Sequence, residues 1–485
     1  MNKILSELNP KEVFYYFEEM SEIPRGSGNE KGVSDYLVKF AKDNNLEYIQ
    51  DIVNNVIIKK PGTKKYETAP TVILQGHMDM VCEKREDIDH DFLKDPLKLR
   101  IDGDFIKATG TTLGADNGIA VAYALAILSS NNIEHPPIEA LITIEEETGM
   151  GGAANLDGHM LDGKILINMD SEEEGELLTS CAGGVRSIVK LPIKWNDNQK
   201  GFKAVTLKLK GLKGGHSGME IIKGRGAASK LIGRVLFDIS KEIEVYIYEI
   251  KAGAKMNAIS RDAEVSLITK YDEFEKLNDL VGKWNEIFKN ELKGIDDDVV
   301  LEILNEETNP TKIFNRETSD RVINILMSIP QGVQTMSNDI EGLVQSSTNL
   351  GVVKTEEGYV YFESAARSSV ATLKDEITNR IEVVAKTNGA EQTLMSSYPE
   401  WQFKKESKIR DLFVKVYEEM YGSKPKITAI HAGLECGLLK EKLGDIDMIS
   451  FGPNMFDVHT PEEKLSISST KRMWEYLLNV LKEIK

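Results

Sequence analysis

The chain has 485 residues, a formal net charge of −18 and a hydrophobic content of 41%. This length allows roughly two to four domains, each with its own core, and the acidic balance argues against a nucleic-acid or anionic-membrane surface. Three scattered cysteines exclude a disulfide framework and a cysteine-based zinc site. No apolar run approaches the about 20 residues that span a bilayer, and the N-terminus is polar, unlike a signal peptide. These features predict a cytoplasmic protein.

Four apolar runs have the length and composition of buried strands, at 71–74, 138–144, 164–169 and 446–451. Helical segments separate them, which predicts an α/β domain with a mostly parallel central sheet flanked by helices. Ligands of such sheets bind at the carboxyl ends of the strands. The residues that follow each run are therefore the first candidates for function.

Acidic residues and histidines follow these runs. His77 and Asp79 come after the first run, two positions apart, so in an extended chain their side chains point to the same side. A carboxylate placed in this way can accept the second ring N–H of a metal-bound imidazole. Glu145–Glu147 follow the second run and Asp170 follows the third. A solvated turn explains His77 and Asp79 taken alone, but the other acids at the same edge favour a metal site.

A glycine-rich loop, 110–118, leads into an alanine-rich helix at 119–129. Taken alone, the loop is a strand-to-helix connection in which Asp116 or Asn117 caps the helix. After the fourth run, His459 follows Gly452-Pro453. If this late segment rejoins the first sheet, His459 returns to the same edge from the far end of the chain.

Between 187 and 396 the hydrophobic pattern changes from continuous apolar runs to alternating segments. Alternating segments at 204–209 and 243–248 predict antiparallel strands with one wet face. A second, looser copy of this pattern suggests that the segment 187–396 consists of two similar halves. The sequence therefore predicts a discontinuous catalytic domain, 1–186 and 397–485, interrupted by an inserted α+β lid domain at 187–396.

The candidate donors are imidazoles and carboxylates without thiolates, a set that suits zinc, manganese or cobalt. Two metal ions about 3.5–4 Å apart need a bridging carboxylate, and a separate carboxylate must accept a proton from the attacking water. The spacing of the residues does not assign these roles.

Several motifs, in this order, resemble the di-zinc M20 metallopeptidases, and within them the aminoacyl-histidine or cytosol non-specific dipeptidases. The motifs are His77-Met-Asp79, Gly114-Ala-Asp116-Asn117-Gly, Glu146-Glu147-Thr-Gly, Asn168-Met-Asp170-Ser-Glu-Glu-Glu-Gly, Gly214-Gly-His216-Ser-Gly and Met256-Asn257-Ala-Ile. The segments 23–30 and 431–437 also resemble that subgroup. The resemblance extends over about residues 10 to 480.

The resemblance implies a site for two divalent metal ions, zinc first and cobalt or manganese as alternatives. Asp116 bridges the ions; His77 and Asp170 complete one site, and Glu147 and His459 complete the other. The peptide bond between Asp116 and Asn117 is expected to be cis.

The same resemblance gives two catalytic roles. Asp79 orients His77, and Glu146 is the general base that later protonates the leaving amine. Strand alternation puts Glu145 and Glu147 on one face, so alternation alone leaves Glu145 as an alternative. The Glu-Glu-Thr/Ala-Gly frame of the family selects Glu146 and Glu147.

The substrate-binding residues implied by the resemblance are His216, Asn257, Arg367 and His431. His216 would donate to the oxyanion, although a plain glycine turn also explains its motif. Asn257 and Arg367 would bind the substrate's C-terminal carboxylate, which the planar guanidinium fits. His431 would line the pocket, with a structural loop before a helix as its alternative.

The resulting hypothesis is metal-dependent hydrolysis of unblocked dipeptides, Xaa-His and others, with Glu146 as base. The alternative is a related M20-type amidohydrolase that acts on N-acyl amino acids or tripeptides. The expected partner is a small peptide, with no nucleic acid and no membrane, and a homodimer is compatible with the resemblance. His90, His135 and His159 match no motif and are predicted to lie on the surface.

Overall fold

The structure, a computed structural model, describes residues 3–198 and 200–485. Its α-helices are α1 Lys11–Ser21, α2 Lys31–Asp43, α3 Ala115–Ser129, α4 Glu146–Gly149, α5 Gly151–Asn155, α6 Ala228–Glu242, α7 Phe274–Glu291, α8 Arg316–Ser328, α9 Ala371–Thr387, α10 Lys408–Tyr421, α11 Glu435–Leu443 and α12 Ile467–Glu483. In the described part of the chain, none of these helices has the length and apolar character that a membrane crossing requires.

The strands are short on average. They are β1 Glu47–Gln50, β2 Val56–Lys60, β3 Val72–His77, β4 Leu99–Asp102, β5 Phe105–Ala108, β6 Ile138–Thr143, β7 Ile165–Asn168, β8 Glu176–Cys181, β9 Gly183–Pro192, β10 Trp195–Asp197, β11 Phe202–Lys210, β12 Gly215–His216, β13 Val245–Ala252, β14 Ala258–Ile259, β15 Ala263–Lys270, β16 Val300–Asn305, β17 Lys312–Phe314, β18 Gly332–Met336, β19 Val344–Glu356, β20 Tyr359–Ser368, β21 Glu391–Tyr398, β22 Lys426–Ile430, β23 Asp447–Ser450, β24 Met455–Phe456 and β25 Lys464–Ser466.

The chain forms two compact units. Unit 1 contains the chain up to Cys181, Trp401–Ala429 and Leu434–Lys485, and unit 2 contains Ala182–Glu400 and Ile430–Gly433. Both units are discontinuous in sequence. The late segment of the chain thus returns to the unit in which the first strand lies.

Unit 1 is built on an eight-stranded sheet with the order β1-β2-β6-β3-β7-β23-β8-β22. Its four central strands, β6, β3, β7 and β23, run parallel, which confirms the α/β fold predicted from the four apolar runs. The pairs β1–β2, β2–β6 and β23–β8 are antiparallel. The sheet is therefore mixed, with its parallel part at the centre.

Burial explains the unbroken apolar runs in this part of the sequence. Every residue of β3 and β6 is buried, as expected for parallel strands covered on both faces. Helix α3 is almost entirely buried as well, which is typical of a helix that is apolar on all sides. The register pairs His77 with Thr143 and Gln75 with Asn168, so the carboxyl ends of β3, β6 and β7 lie at one edge.

Unit 2 is built on a nine-stranded antiparallel sheet. Its main path is β16-β11-β15-β13-β19-β20-β9-β21, and β18 pairs with β19. The antiparallel character predicted for 204–209 and 243–248 is confirmed, because β11 and β13 both pair with β15 in this sense. Buried residues of α6, α7, α8 and α9 belong to the same core as this sheet. Unit 2 therefore has its own hydrophobic core.

Gly76 provides a test of how tightly the sheet of unit 1 packs on α3. A Cβ atom at Gly76 would lie 2.4 Å from Asn117 Oδ1 and 2.7 Å from Ala120 Cβ. We expect Gly76→Ala to lower the free energy of unfolding by about 1–3 kcal/mol because the added methyl overpacks a buried interface. Urea denaturation measures this change.

Gly32→Ala is the matched control in the same unit. Gly32 lies exposed in α2, and an added Cβ would meet only Ile23 Cγ2 at 3.4 Å. Because alanine is the better helix former, the free energy of unfolding should stay unchanged or rise by up to about 1 kcal/mol. Equal stability of the two variants would contradict the close packing at Gly76.

Candidate metal centre

The residues predicted at strand ends gather at one edge of the unit 1 sheet. His77 ends β3, Asp116 lies in the first turn of α3, and Glu147 lies in α4, which follows β6. Asp170 follows β7 by two residues, and His459 lies between β24 and β25.

The Asp116 carboxylate stands between the two imidazoles. Its Oδ1 lies 3.2 Å from His77 Nε2, and its Oδ2 lies 3.1 Å from His459 Nε2. On the outer sides, His77 Nε2 lies 3.5 Å from Asp170 Oδ1, and His459 Nε2 lies 3.0 Å from Glu147 Oε1. Each imidazole thus faces one oxygen of the shared carboxylate and one carboxylate of its own.

These donor atoms form three groups whose members lie within 4.8 Å of one another. The groups are His77 with Asp116 and Asp170; Asp116 with Glu147 and His459; and His77 with Glu146 and Glu147. Imidazole nitrogens with carboxylate oxygens are a donor set that catalytic zinc and related divalent ions accept.

Unsatisfied polar atoms support this fit. The buried atoms Asp170 Oδ1 and Glu147 Oε1 have no partner with hydrogen-bond geometry among the residues that the structure describes. Buried polar atoms normally have a partner. The residues of this site therefore fit a bound cation.

Asp79 is fully buried and holds several elements of the site. Its Oδ1 lies 3.2 Å from His77 Nδ1 and accepts the Glu146 backbone N–H at 3.1 Å. Its Oδ2 accepts Ser27 Oγ at 2.8 Å and the Glu147 N–H at 3.3 Å. Burial raises the pKa of Asp79, but contacts led by the His77 imidazole outweigh burial and lower it. The ionised carboxylate therefore fixes the ring and the start of α4 together.

The titration of the histidines follows from these carboxylates. Hydrogen bonds to Asp116 and Glu147 raise the pKa of His459 to about 11. Burial lowers the pKa of His77, but the charge of Asp170 and further carboxylate contacts raise it well above its ordinary value. Burial also raises the pKa of Asp170 to about 7. Without a cation, the cluster therefore retains protons at neutral pH.

Glu146 and Glu145 have different surroundings. Glu146 is only partly exposed, and desolvation raises the pKa of its carboxyl group well above the ordinary value. Glu145 has φ 51°, its N–H donates to Glu30 Oε1 at 3.2 Å, and it belongs to none of the donor groups found in the described residues. The geometry brings Glu146 and Glu147, but not Glu145, to the cluster.

Backbone conformation marks the same region. His459 has φ 62°, a left-handed value that non-glycine residues adopt at a cost and that recurs at functional sites. The peptide bond between Asp116 and Asn117 is cis, as expected from the resemblance.

In unit 2, His216 and Asn257 line a cavity of about 560 Å³ together with Lys255 and Arg261. His216 Nδ1 accepts the backbone N–H of Met219 at 3.1 Å. This contact leaves the ring proton of a neutral imidazole on Nε2. Burial, followed by the charge of Arg367, lowers the pKa of His216, which favours that neutral form.

His431 and Arg367 belong to the same polar region of unit 2. His431 Nε2 lies 2.7 Å from Ser347 Oγ, and Arg367 Nη1 donates to the Tyr398 hydroxyl at 2.9 Å. Burial lowers the pKa of His431 to about 3, and the charge of Arg367 acts in the same direction. Unit 2 thus brings two neutral imidazoles near one guanidinium.

The sequence analysis did not identify two residues that hold the candidate site residues in place. Ser27 contacts Asp79 and Tyr398 contacts Arg367, as described above. Nothing in the sequence indicated these contacts, except that Ser27 lies in the segment 23–30 that resembles the subgroup.

The surface prediction is confirmed for His159, which is exposed, and is wrong for His90 and His135, which are buried. The His90 ring packs edge-on against Phe92 with centroids 4.5 Å apart, and His135 Nδ1 lies 2.7 Å from the Pro136 carbonyl oxygen.

Known proteins are similar to this chain in sequence and fold. The chain is 39% identical over 480 residues to the cytosol non-specific dipeptidase of Escherichia coli (strain K12), which covers 99% of both chains. The crystal structure of aminoacylhistidine dipeptidase from Vibrio alginolyticus superposes with a TM-score of 0.94 and 40% identity, covering 99% of this chain and 98% of that one. Aminopeptidase PepT from Bacillus cereus, at 16% identity and a TM-score of 0.56 over 98% of this chain and 99% of its own, shares the fold.

A family model matches most of the chain. Residues 73–483 match the model described as peptidase family M20/M25/M40. This range contains each residue of the candidate metal centre. The chain belongs to peptidase family M20/M25/M40.

Proposed function

We propose that this protein is a metal-dependent dipeptidase that hydrolyses the peptide bond of unblocked dipeptides, Xaa-His among them. Support comes from its family and from relatives, similar over nearly the whole chain, that are named as a cytosol non-specific dipeptidase and an aminoacylhistidine dipeptidase. The first of these names also supports a cytoplasmic location.

The observation that carries the proposal is the Asp116 carboxylate, which offers one oxygen to each imidazole at 3.2 Å and 3.1 Å. A carboxylate in this position can bridge two cations. His77 and Asp170 would then hold the first ion, and Glu147 and His459 would hold the second. Zinc is the ion proposed here, with cobalt and manganese as alternatives that the same donors accept.

When bound, the metal ions lower the pKa of water from 15.7 to about 7 and polarise the scissile carbonyl. Glu146 then takes the proton of the attacking water and returns it to the leaving amine. Burial raises the pKa of Glu146, and a carboxyl group that holds its proton more tightly is a better proton acceptor. Asp79 keeps the His77 ring oriented throughout.

The substrate-binding residues of the proposal all belong to unit 2, the inserted domain, to which we assign the role of a lid. His216 donates its Nε2–H to the oxyanion, as the neutral tautomer allows. Arg367 and Asn257 bind the substrate's C-terminal carboxylate, and the Tyr398 hydroxyl fixes the guanidinium. His431 lines the pocket. The homodimer remains a prediction.

The proposed roles of Asp116 and Glu146 are separable. Asp116→Ala should abolish stoichiometric metal binding and activity together, because both ions lose a shared ligand. Glu146→Gln should retain metal and lose about 10²–10⁴-fold in kcat, because the proton acceptor is gone. Metal analysis of the purified variants and dipeptide hydrolysis measure the two effects.

Glu145→Gln is the control for Glu146→Gln, since it makes the same change in the neighbouring glutamate. It should leave kcat within about threefold of the wild type, far less than the effect of removing a general base. Loss of metal in both Asp116→Ala and Glu146→Gln, or a larger defect in Glu145→Gln, would contradict the assigned roles.

Metal binding should release protons. The pKa of His459 is raised to about 11, so at pH 8 its imidazole is protonated in the metal-free protein. A metal ligand must be the neutral imidazole, and binding therefore displaces this proton and strengthens as pH rises. Calorimetric titration of Zn²⁺ in buffers of different ionisation enthalpy gives the proton count.

His459→Asn should release about one proton fewer per chain than the wild type. His159→Asn, at an exposed histidine outside the donor groups of the described chain, should release the wild-type number. An unchanged proton count in His459→Asn would show that this imidazole is not a ligand.

The substrate class is tested by a panel of dipeptides, tripeptides and N-acetylated dipeptides, each with and without a chelator. We expect unblocked dipeptides to be cleaved at least about tenfold faster than the blocked ones, since sites that pair a free terminus reject substrates without it. The chelator should abolish every activity. Preferred cleavage of acetylated substrates or tripeptides would favour the alternative amidohydrolase.

A further inference from the structure

Glu463 is a buried glutamate that contacts the loop of Asp116 but takes no part in the chemistry described above. Glu463 is 2% exposed and follows His459 by four residues. Its Oε2 accepts the backbone N–H groups of Leu113 at 2.7 Å and Gly114 at 3.0 Å, and its Oε1 accepts those of Ala115 at 2.8 Å and Asp116 at 3.4 Å. A single side chain thus holds four consecutive peptide groups.

These four peptide groups are the start of α3 and the loop before it. The first N–H groups of a helix have no partner within the helix and favour a negative charge beside them. No side chain at the N-cap position, which is Gly114, caps α3. Glu463 supplies this cap from a segment that is remote in sequence, and one of the residues that it holds is Asp116.

Arg25 holds the same loop from another direction. Its guanidinium is 2% exposed and donates through Nη2 to the Gly114 carbonyl oxygen at 2.6 Å. Its Nη1 donates to the carbonyl oxygens of Met78 at 3.0 Å and Asp79 at 3.2 Å. A Cβ atom at Gly114 would lie 2.6 Å from Nη2. Arg25 therefore ties the loop to the segment that carries His77 and Asp79.

From these contacts we propose that Glu463 is a positioning residue of the metal centre, which fixes Asp116 and the His459 segment at one distance so that the bridging carboxylate is in place before a cation binds. This inference rests on the proposed function, because it assigns Glu463 a role toward the metal site proposed there. Arg25 completes the arrangement by joining the loop to the His77 side.

Both oxygens of Glu463 act as acceptors of two N–H groups each. Glu463→Gln replaces one oxygen by an NH₂ group that faces two backbone donors, so half of the anchoring contacts become repulsive. Asp116 would then lose its fixed position relative to His459. Loss of such outer-shell partners typically costs 10–100-fold in metal affinity.

The experiment is titration of the metal-free full-length protein with Co²⁺, followed by visible absorption, for wild type, Glu463→Gln, Glu463→Asp and Glu462→Gln. We expect a 10–100-fold rise in Kd for Glu463→Gln and a smaller rise for Glu463→Asp, which keeps the charge but reaches less far. Glu462 is exposed, so Glu462→Gln should match the wild type. Dipeptidase activity of Glu463→Gln should recover as Co²⁺ approaches saturation.

Wild-type Co²⁺ affinity in Glu463→Gln, even with a lowered melting temperature, would show that Glu463 is only a structural cap and would overturn the proposal. If Glu463→Gln does not fold, Glu463→Asp decides by the same criterion. Wild-type protein that binds no Co²⁺ or cleaves no dipeptide would instead refute the proposed function. Wild-type binding and cleavage together with unaltered variants would refute the positioning role alone.

Discussion

The Asp116 carboxylate between His77 and His459 is the contact around which the candidate metal centre is arranged. The two imidazoles are far apart in sequence, so the fold must bring a late loop back to the carboxyl end of β3. Asn117 helps to define that edge, because its Oδ1 accepts the His77 N–H at 3.1 Å and its Nδ2 donates to the Met169 carbonyl oxygen at 2.8 Å. The start of α3 is thereby fixed to the ends of two parallel strands.

Buried charged groups do most of this positioning. Asp79 contacts the His77 ring and the first two N–H groups of α4, so the orientation of the imidazole and the placement of Glu146 depend on one carboxylate. Glu463 and Arg25 act in the same way on the Asp116 loop. Each of these charges is stabilised by several hydrogen bonds, which offset the cost of burying it. These hydrogen bonds hold the donor side chains of the candidate metal centre in place.

The sequence predicted what depends on local pattern. Apolar runs located the parallel strands, and the motifs after them supplied the residues that the structure brings together. Glu463 was missed because it stands beside Glu462, and nothing local distinguishes the buried glutamate from the exposed one; its partners lie in a distant loop. His90 and His135 were misplaced for the same reason. The polar residues around His90 and His135 indicate a loop, but whether a residue in a loop is buried depends on the segments that pack over it.

The protonation of the site bears on how it would bind a cation. Burial raises the pKa of Asp170 to about 7, and carboxylate contacts raise that of His459 to about 11. Both values exceed those of the unfolded chain, about 3.9 and 6.5. The folded state therefore holds protons that the unfolded state releases. Without metal, the stability of the folded state therefore falls as the pH rises from about 3.9 to about 7, where Asp170 loses its proton, and from about 6.5 to about 11, where His459 does. A divalent cation held by these donors would displace both protons, so protons and metal would compete for one set of atoms.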